Sequence, residues 1–593
     1  SDTGSERDVA SGISMTQYTE PTLAERCPGR RDLLVLAVAV AVVRFAYVAD
    51  RSTVSLTPDE YSSLAIARFL SGGEFNMLVA STYRVAPGLL LVPWSWLFDD
   101  PALIVRFGLL TNAAVAGITM FVLVPLLARL TSFGRTGLLL VSGLLAVLPQ
   151  SLEASAHLWA EPLVTLSFLG VVSSVLRYLD APSVRRASTA LAWSTLSIIS
   201  HGRMLPLAVL AAAFLVIHAL LGRHLRVAAT TIAGSVVTFA GATLLQRWIV
   251  SAVWEIPSPG NSAATVLRKL EAPLEVLDAA AGQTWYQLAA SGLLVAFGFV
   301  ELIRRAMGRA GDRHRRDAVV LLAATLPLIA VSFAFMSSVG RADHVLYGRY
   351  IDAVIWPVLA VGAHWLFHVR PVMSVRRRRF VIGVAVIGFI ELALVVHQLH
   401  RHQIRVAGVN AMIAGIVPLS DRGSINALIV TLGSLVVAVV LFLFARSPIP
   451  DRRIWSIVMV AIVCTAGIRL WTFQRPDANQ PAFGEQARAI LELSNRPPIG
   501  SEIGVSLMPD EYGPIMRRIS QLSAVYSYQL YLPEYRFVFD NGPSDDVGPY
   551  VFAVENDALL TREGGTIMWE HPSLPMALWK EPTRSHDASG PDG

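Results

Sequence analysis

The residues best suited to chemistry lie together in one short segment, Thr57 to Leu70, directly after the first long apolar run. Thr57 can cap a helix that has Pro58 at its first position, and Glu60 stands three residues after the cap. Two adjacent carboxylates, Asp59 and Glu60, are thereby fixed at the top of a short helix. A carboxylate held there can act as a general base. Acidic residues in a first helical turn also suit the helix dipole, so both interpretations stay open.

Further ionisable side chains stand where the chain leaves or re-enters apolar runs. His157 and Glu161 lie four residues apart in HLWAEP, at such a re-entry. An ionisable residue at that depth of a membrane is a candidate functional residue, although Glu161 before Pro162 also suits a capping role. His201 and Arg203 occupy a second short break between two apolar runs. These four residues are therefore candidates for substrate binding.

A third group, Tyr347-Gly348-Arg349-Tyr350, precedes a late apolar run. The planar guanidinium of Arg349 can hold a phosphate through two parallel hydrogen bonds. The alternative is that Arg349 is an interfacial anchor and that Tyr347 and Tyr350 belong to the aromatic belt of a membrane protein. Arg349 and Tyr347 are therefore candidates for phosphate or substrate binding.

No metal site is visible in the sequence. His157 and Glu161 could share a metal ion, but two ligands are too few to define a site. The acidic pairs at 59–60 and 99–100 are adjacent residues and do not form an Asp-x-Asp pattern. No visible motif therefore requires a divalent metal.

The elements that must position these residues are membrane spans. Of the 593 residues, 53% are hydrophobic and 16% are charged, whereas a soluble domain has about 25% charged residues. Several runs approach or reach the ~20 apolar residues that cross a hydrocarbon core, namely 33–48, 162–176, 380–396 and 426–445. The sequence thus predicts a polytopic α-helical membrane protein.

Arginine clusters between the apolar runs predict the topology. The net charge of +5 is distributed in these clusters, which indicates membrane orientation and not nucleic-acid binding. When every cluster is placed in the cytoplasm, the chain has about 13 spans, a cytoplasmic N-terminus and an extracytoplasmic C-terminal part. The predicted outer loops are 50–100, 150–161, 200–206, 245–284, 337–349 and 398–425.

The predicted organisation has three parts. Residues 1–32 are expected to be a disordered cytoplasmic tail, and residues 33–472 a transmembrane domain. Within it, the first outer loop, 50–100, should carry interfacial helices. Its apolar piece 85–98 is predicted to be re-entrant or interfacial. Residues 473–593 are predicted to form an extracytoplasmic α/β domain.

The pattern of the C-terminal part combines both kinds of element. Helices are predicted over 484–495 and near 514–529, and strands over 503–507, 535–540 and 550–555. A domain of that size is large enough for a core of its own.

With these landmarks in place, the chain resembles the GT-C superfamily of polyprenyl-phosphate-sugar-dependent glycosyltransferases. It is most similar to the branch of protein O-mannosyltransferase-like and aminoarabinose-transferase-like enzymes. The resemblance spans roughly residues 33–400 and rests on four landmarks in order: Pro58-Asp59-Glu60-Tyr61 after the first span, Glu161-Pro162, His201-Gly202-Arg203, and Tyr347-Gly348-Arg349-Tyr350. The chain departs from the metal-dependent oligosaccharyltransferase branch because the Asp-x-Asp pattern is missing.

The resemblance implies many spans around a lateral cleft and a donor in which a polyprenyl monophosphate carries the sugar. It implies inverting transfer to a cell-envelope glycan or glycolipid at the outer face of a bacterial plasma membrane. The base would be Asp59, with Glu60 beside it. Donor-phosphate and substrate contacts would fall on Arg349, Arg203, His201, Tyr347, Glu161 and His157. The arginine-rich composition suits an actinobacterial source, with mannose or arabinofuranose as the sugar, but no residue decides between them.

Two other function classes stay open. A lipid or glycolipid transporter or flippase is expected to have internal repeats and ionisable residues in mid-span. The two halves show no clear repeat, and only Arg44, Arg106 and Arg469 stand near span ends as possible exceptions. A non-catalytic cell-envelope scaffold predicts that Asp59 and Glu60 can both be replaced without loss of function.

Overall fold

The computed structural model describes most of the helical part of the chain and the strands of its C-terminal part. The described residues are 26–49, 58–73, 85–254, 267–308, 312–337, 345–368, 375–399, 413–420, 425–446, 465–468, 492–493, 496–506, 532, 534–539, 550–554, 566–570 and 576–580. The predicted tail up to residue 25, the predicted helix near 514–529 and nearly all of the one over 484–495 lie outside them.

The described part of the chain before residue 447 is almost entirely helical. Its helices are α1 (Arg30–Val48), α2 (Pro58–Leu70), α3 (Val85–Leu97), α4 (Pro101–Leu130), α5 (Arg135–Ala146), α6 (Pro149–Glu153), α7 (Glu161–Asp180), α8 (Val184–Ser200), α9 (Leu205–Leu221), α10 (Leu225–Val253), α11 (Pro273–Ala290), α12 (Leu294–Met307), α13 (Asp312–Met336), α14 (Arg349–Asp352), α15 (Trp356–His368), α16 (Val375–Leu399) and α17 (Ala427–Arg446). A 3₁₀ turn, Gly202–Met204, leads directly into α9.

The chain is a multi-pass α-helical membrane protein. Among the described residues, five helices are long and apolar enough to cross a bilayer: α4, α7, α9 with its 3₁₀ turn, α10 and α13. Helices α11 and α12 would make a sixth span, although they meet at 105°. Others, including α5, α15 and α17, are apolar but shorter in their apolar part. The expected total of about 13 spans and their orientation stay predictions.

Helix α3 has the length expected of the predicted interfacial or re-entrant piece. Its 13 residues extend about 20 Å, whereas a hydrocarbon core is about 30 Å thick. Helix α3 packs closely against α2, as the surroundings of Gly88 show: an added Cβ there would lie 2.5 Å from Cγ2 of Ile66. Helix α3 therefore supports the helix on which both acidic candidates stand.

The predicted outer loop 245–284 is much shorter in the structure. Helix α10 continues to Val253, and α11 begins at Pro273. Beyond residue 245, Ile249 and Val253 are buried in an apolar cluster that also contains residues of α2. Burial of this apolar face stabilises the helical turns between residue 245 and Val253.

The C-terminal part contains a five-stranded mixed sheet. Its strands are β1 (Glu502–Ser506), β2 (Arg536–Phe539), β3 (Tyr550–Val554), β4 (Thr566–Glu570) and β5 (Met576–Lys580). The order is β2-β1-β3-β5-β4, in which β1 pairs in parallel with β2 and β3 while β5 pairs antiparallel with β3 and β4. The first three strands agree with the predicted ones, whereas β4 and β5 were not predicted. The α/β class stays a prediction because its helices lie outside the described residues.

The close packing of α2 on α3 gives a test of the fold. Gly88→Ala should lower the melting temperature in detergent, because the new methyl group would overlap Ile66 and approach the Ser63 carbonyl oxygen. Overpacking of this kind costs about 1–3 kcal/mol. Gly241→Ala is the matched control, since nothing lies within 4 Å of its added Cβ, and it should not lower the melting temperature. Equal melting temperatures for the two variants would contradict the packing.

Candidate active site

The structure brings the eight predicted site residues into one connected group. Asp59 and Glu60 stand at the start of α2, and Glu161 begins α7. Arg203 belongs to the 3₁₀ turn before α9, and Arg349 begins the short helix α14. The remaining three, His157, His201 and Tyr347, adjoin these elements in sequence. Residues far apart in the chain thus converge where several helices begin or end.

Arg349 is the centre of the group. Its Nε and Nη2 donate to the two carboxylate oxygens of Glu161 at 2.8 and 3.0 Å. Its Nη1 donates to Oδ2 of Asp59 at 2.8 Å and lies 3.5 Å from the hydroxyl of Tyr347. Burial opposes the charge of Arg349, but the carboxylates of Glu161 and Asp59 outweigh it and hold its pKa well above its ordinary value. The guanidinium is therefore a fixed, fully engaged cation.

A glycine makes this position of Arg349 possible. Gly348 immediately precedes α14, and a Cβ there would lie 1.8 Å from the ring of Tyr286 in α11. No side chain fits in that space. The close approach of backbone to ring is thus a local requirement of the sequence Gly348-Arg349.

The two adjacent carboxylates of α2 have different partners. Asp59 binds Arg349, and its side chain is 19% exposed. Glu60 is buried, where Oε1 accepts from the backbone N–H of Leu158 at 3.0 Å and Oε2 lies 3.3 Å from Nδ1 of His157. His157 also binds Glu153, with 2.8 Å between Nε2 and Oε1. Asp59 is therefore the accessible carboxylate of the pair.

Arg203 is a buried cation with spare hydrogen-bond donors. Its Nη2 lies 3.4 Å from Oε1 of Glu161, and its guanidinium lies 4.0 Å from the ring centroid of Tyr350. Its Nε and Nη1 are buried, and none of the described residues accepts a hydrogen bond from them. His201 caps the turn by accepting from the Arg203 N–H at 3.3 Å. Buried donors without acceptors are costly, so this position favours an anionic ligand.

Two aromatic residues that are not among the eight predicted site residues also hold the arginines. The ring centroid of Trp159 is 3.6 Å from the guanidinium carbon of Arg349. Tyr350 stacks under Arg203 and makes edge contacts with His201 and Tyr347. The sequence signal for Trp159 was its place between His157 and Glu161 in HLWAEP.

Asp352, at the end of α14, was also missed. Its two oxygens accept from the hydroxyl of Tyr286 and from Nε2 of Gln287, each at 2.8 Å. Burial raises the pKa of Asp352 to about 7, although both hydrogen bonds act in the opposite direction. It stands three residues after Arg349, on the same helical turn, which is the signal that could have identified it.

A narrow cavity lies beneath this network and encloses about 20 Å³. That volume holds about one water molecule. Its wall includes both charged ends of the Arg349–Glu161 pair together with Arg44, Gln150, Asp352, Trp159 and Trp356. Arg44 donates to the carbonyl oxygen of Ala146 and to the Ser155 hydroxyl.

Within the part of the chain that the structure describes, no three histidine, cysteine, aspartate or glutamate side chains are placed to hold a metal ion. The expectation that no metal is required stays a prediction.

The chain matches no protein-family model and no curated protein. Among solved structures it is similar to ArnT from Cupriavidus metallidurans bound to undecaprenyl phosphate, with a TM-score of 0.49, 16% identity, and coverage of 94% of this chain and 99% of that one. ArnT from Cupriavidus metallidurans in the apo state gives a TM-score of 0.48 and 15% identity, and the match covers 92% of this chain and 97% of that one. Arabinosyltransferase EmbB from Mycobacterium smegmatis gives a TM-score of 0.45 and 15% identity, and the match covers 74% of this chain but 41% of EmbB. These scores assign no residue and no activity.

The Arg349–Glu161 pair gives a test of the network. Removing one member of a buried ion pair leaves an uncompensated charge and costs about 3–5 kcal/mol. We expect Arg349→Gln and Glu161→Gln each to lower the unfolding free energy strongly, and the double variant to lose clearly less than their sum. Thermal unfolding in detergent measures all three.

The matched control is the exposed ion pair between Arg135 and Asp32. Arg135→Gln should change the unfolding free energy by only about 0–1 kcal/mol. Additive losses at Arg349 and Glu161, or losses no larger than that of Arg135→Gln, would show that the two side chains are not a buried pair.

Proposed function

We propose that the chain is a membrane glycosyltransferase whose donor is a polyprenyl monophosphate carrying a sugar. The transfer would be inverting, with Asp59 as the base and a cell-envelope glycan or glycolipid as the acceptor. It would take place on the outer face of a bacterial plasma membrane. The arginine-rich composition of the chain favours an actinobacterial source. The observation that carries the proposal is that two buried donors of Arg203 have no acceptor among the described residues, next to the network of Asp59, Glu161 and Arg349.

The phosphate of the donor would bind at Arg203. Phosphate oxygens would accept from Nε and Nη1, the two donors that lack an acceptor among the described residues. Arg349 is less suited to this role than the sequence alone suggested, because each of its nitrogens already donates to Asp59 or Glu161. Guanidinium–phosphate hydrogen bonds are charge-assisted and strong, and the guanidinium of Arg203 packs on the aromatic ring of Tyr350.

The carboxylate that takes the proton would be Asp59. Its 19% exposure allows an acceptor hydroxyl to approach, whereas Glu60 and Glu161 are buried. The 2.8 Å contact with Arg349 fixes the orientation of the Asp59 carboxylate. Glu60 would position the first turn of α2 through Leu158 and His157. The remaining substrate contacts would come from Tyr347, His201 and Glu161, which surround the two arginines.

The reaction balances with these groups alone. The acceptor hydroxyl gives its proton to Asp59 while its oxygen forms a bond to the anomeric carbon of the sugar. The bond between that carbon and the phosphate oxygen breaks, and the electron pair leaves with the polyprenyl phosphate. Arg203 stabilises the charge that develops on the leaving phosphate. One displacement inverts the anomeric configuration. Mannose and arabinofuranose are the candidate sugars.

The test is sugar transfer in proteoliposomes with radiolabelled polyprenyl-phosphate-mannose and, separately, polyprenyl-phosphate-arabinose. Loss of a general base typically costs 10²–10⁴-fold in rate, so Asp59→Asn should lose at least about 100-fold in turnover. Arg203→Gln should chiefly raise the KM for the donor, because it removes the phosphate contact. Glu60→Gln should lose less turnover than Asp59→Asn.

Glu301→Gln is the control for removal of a buried, arginine-paired carboxylate, because Glu301 binds Arg304 and Arg305 away from the site. It should retain transfer at equal folding yield. Transfer that persists unchanged in Asp59→Asn would mean that the carboxylates of α2 only cap a helix. No transfer from either donor to any of a range of envelope acceptors would contradict the proposed function itself.

A further inference from the structure

Three side chains form a stack beside Asp59. The rings of His157 and Trp159 are nearly parallel, with 3.9 Å between their centroids and 12° between their planes. The guanidinium carbon of Arg349 lies 3.6 Å from the Trp159 ring centroid. Two planar groups cannot both lie this close to one ring on the same face without overlap. Trp159 is therefore sandwiched between an imidazole and a guanidinium.

Both ring nitrogens of His157 face carboxylates. Nδ1 lies 3.3 Å from Glu60 and Nε2 lies 2.8 Å from Glu153. When both carboxylates are ionised, they can only accept hydrogen bonds, so both ring nitrogens then donate and the ring is the imidazolium cation. The second oxygen of Glu153 accepts from the hydroxyl of Tyr47 at 3.0 Å. The charge of His157 is thus held between two buried anions from different helices.

The backbone next to this histidine is held as well. The carbonyl oxygen of His157 accepts from Nδ2 of Asn112 at 2.8 Å, and the N–H of Leu158 donates to Glu60 at 3.0 Å. Trp159 follows directly. The segment that supports Arg349 is therefore fixed to α2 and α4 by hydrogen bonds that involve none of the proposed reacting groups.

The adjacent residues Asp59 and Glu60 connect these two layers. Glu60 binds the imidazolium on one side of Trp159, and Asp59 binds the guanidinium on the other. A shift of Glu60 would turn the first turn of α2 and carry Asp59 with it. The position of the proposed base therefore depends on a cation that does not touch it.

We propose that His157 is a positioning residue for the transfer reaction. Its imidazolium, held between Glu60 and Glu153, supports Trp159 and fixes the first turn of α2. Asp59 and Arg349 thereby keep their relative positions. This role rests on the proposed function, since it concerns the orientation of the base. It differs from substrate binding, because it acts through Glu60 and Trp159.

The proposal gives the reaction an alkaline limit. Burial opposes the charge on His157, but Glu60 and Glu153 outweigh it and raise the pKa of His157 above its ordinary value. The groups that face the ring are Glu60 from α2, Glu153 from α6 with Tyr47 of α1 behind it, and the cation of Arg349 beyond Trp159. Loss of the His157 proton leaves two buried carboxylates without their cation, and Asp59 loses its support.

The experiment is the pH profile of transfer in proteoliposomes for the wild type, Glu153→Gln and His157→Gln. In the wild type, kcat should fall as pH rises through the raised pKa of His157. Glu153→Gln removes one stabilising charge and should move this limb to lower pH by on the order of one unit. His157→Gln should lose at least about tenfold in kcat and have no such limb. The donor KM should stay within about twofold in both variants, because the proposed phosphate contact, Arg203, touches neither residue.

His364→Gln is the matched control. His364 is a buried histidine that packs edge-on against Phe133 and binds Ser132. It should retain the wild-type kcat and the wild-type alkaline limb. An alkaline limb that stays in place in Glu153→Gln, or a kcat of His157→Gln within twofold of the wild type, would overturn the positioning role.

A second readout separates this proposal from the proposed function. If the wild type transfers neither sugar, the proposed function fails, and the same variants are compared by thermal unfolding in detergent. A histidine whose pKa is raised in the folded state stabilises the fold. This stabilisation is complete below the unfolded-state pKa, about 6.5, and is lost as pH rises through the folded-state pKa. The difference in unfolding stability between the wild type and His157→Gln should decrease with pH in this way. In Glu153→Gln, the stabilisation by His157 should be lost at a lower pH. A pH-independent advantage would overturn the imidazolium clamp.

Discussion

The rest of the structure around the site depends on one constraint, which is that the guanidinium of Arg349 is buried. Removing a charged group from water costs several kcal/mol unless partners restore what hydration supplied. The bidentate contact with Glu161 and the contact with Asp59 do so. Each partner belongs to a different helix, so the requirement to neutralise one cation fixes how α2, α7 and α14 meet. The close packing of Gly348 on Tyr286 holds the backbone next to Arg349 at this place.

The same requirement, that a buried cation needs hydrogen-bond acceptors, shows that the surroundings of Arg203 are incomplete. Both cations, Arg349 and Arg203, contact Glu161, but the contacts are unequal. Every nitrogen of Arg349 has an acceptor, whereas Arg203 lies 3.4 Å from Glu161 and two of its nitrogens have no acceptor among the described residues. Buried donors in native proteins almost always have an acceptor, supplied by the protein, by water or by a ligand. An arriving phosphate would supply the missing acceptors, and the bound state would then be better satisfied than the free one.

Much of this site could be predicted from the sequence, for a physical reason. Ionisable residues at the boundaries of apolar runs have few places to go in a membrane protein except the interior of the bundle. This is why Asp59, His157 and Arg349 could be selected and why they meet. Their pairing could not be predicted, because Arg349 and Asp59 are 290 positions apart and no local pattern shows that Asp59 and Glu60 diverge. Trp159 and Asp352 were missed because each is a single residue without a periodic pattern, and the one sequence signal of each is its position close to a residue that was selected. Likewise β4 and β5 are five-residue strands whose pairing partners, and not their own composition, define them.

The most direct test of the central claim is an experimental structure of the full chain with a polyprenyl monophosphate that carries no sugar. The account predicts phosphate oxygens within hydrogen-bond distance of Nε and Nη1 of Arg203, with the contacts from Arg349 to Glu161 and Asp59 intact. A phosphate bound elsewhere, with the Arg203 nitrogens bonded to protein or to water, would contradict it.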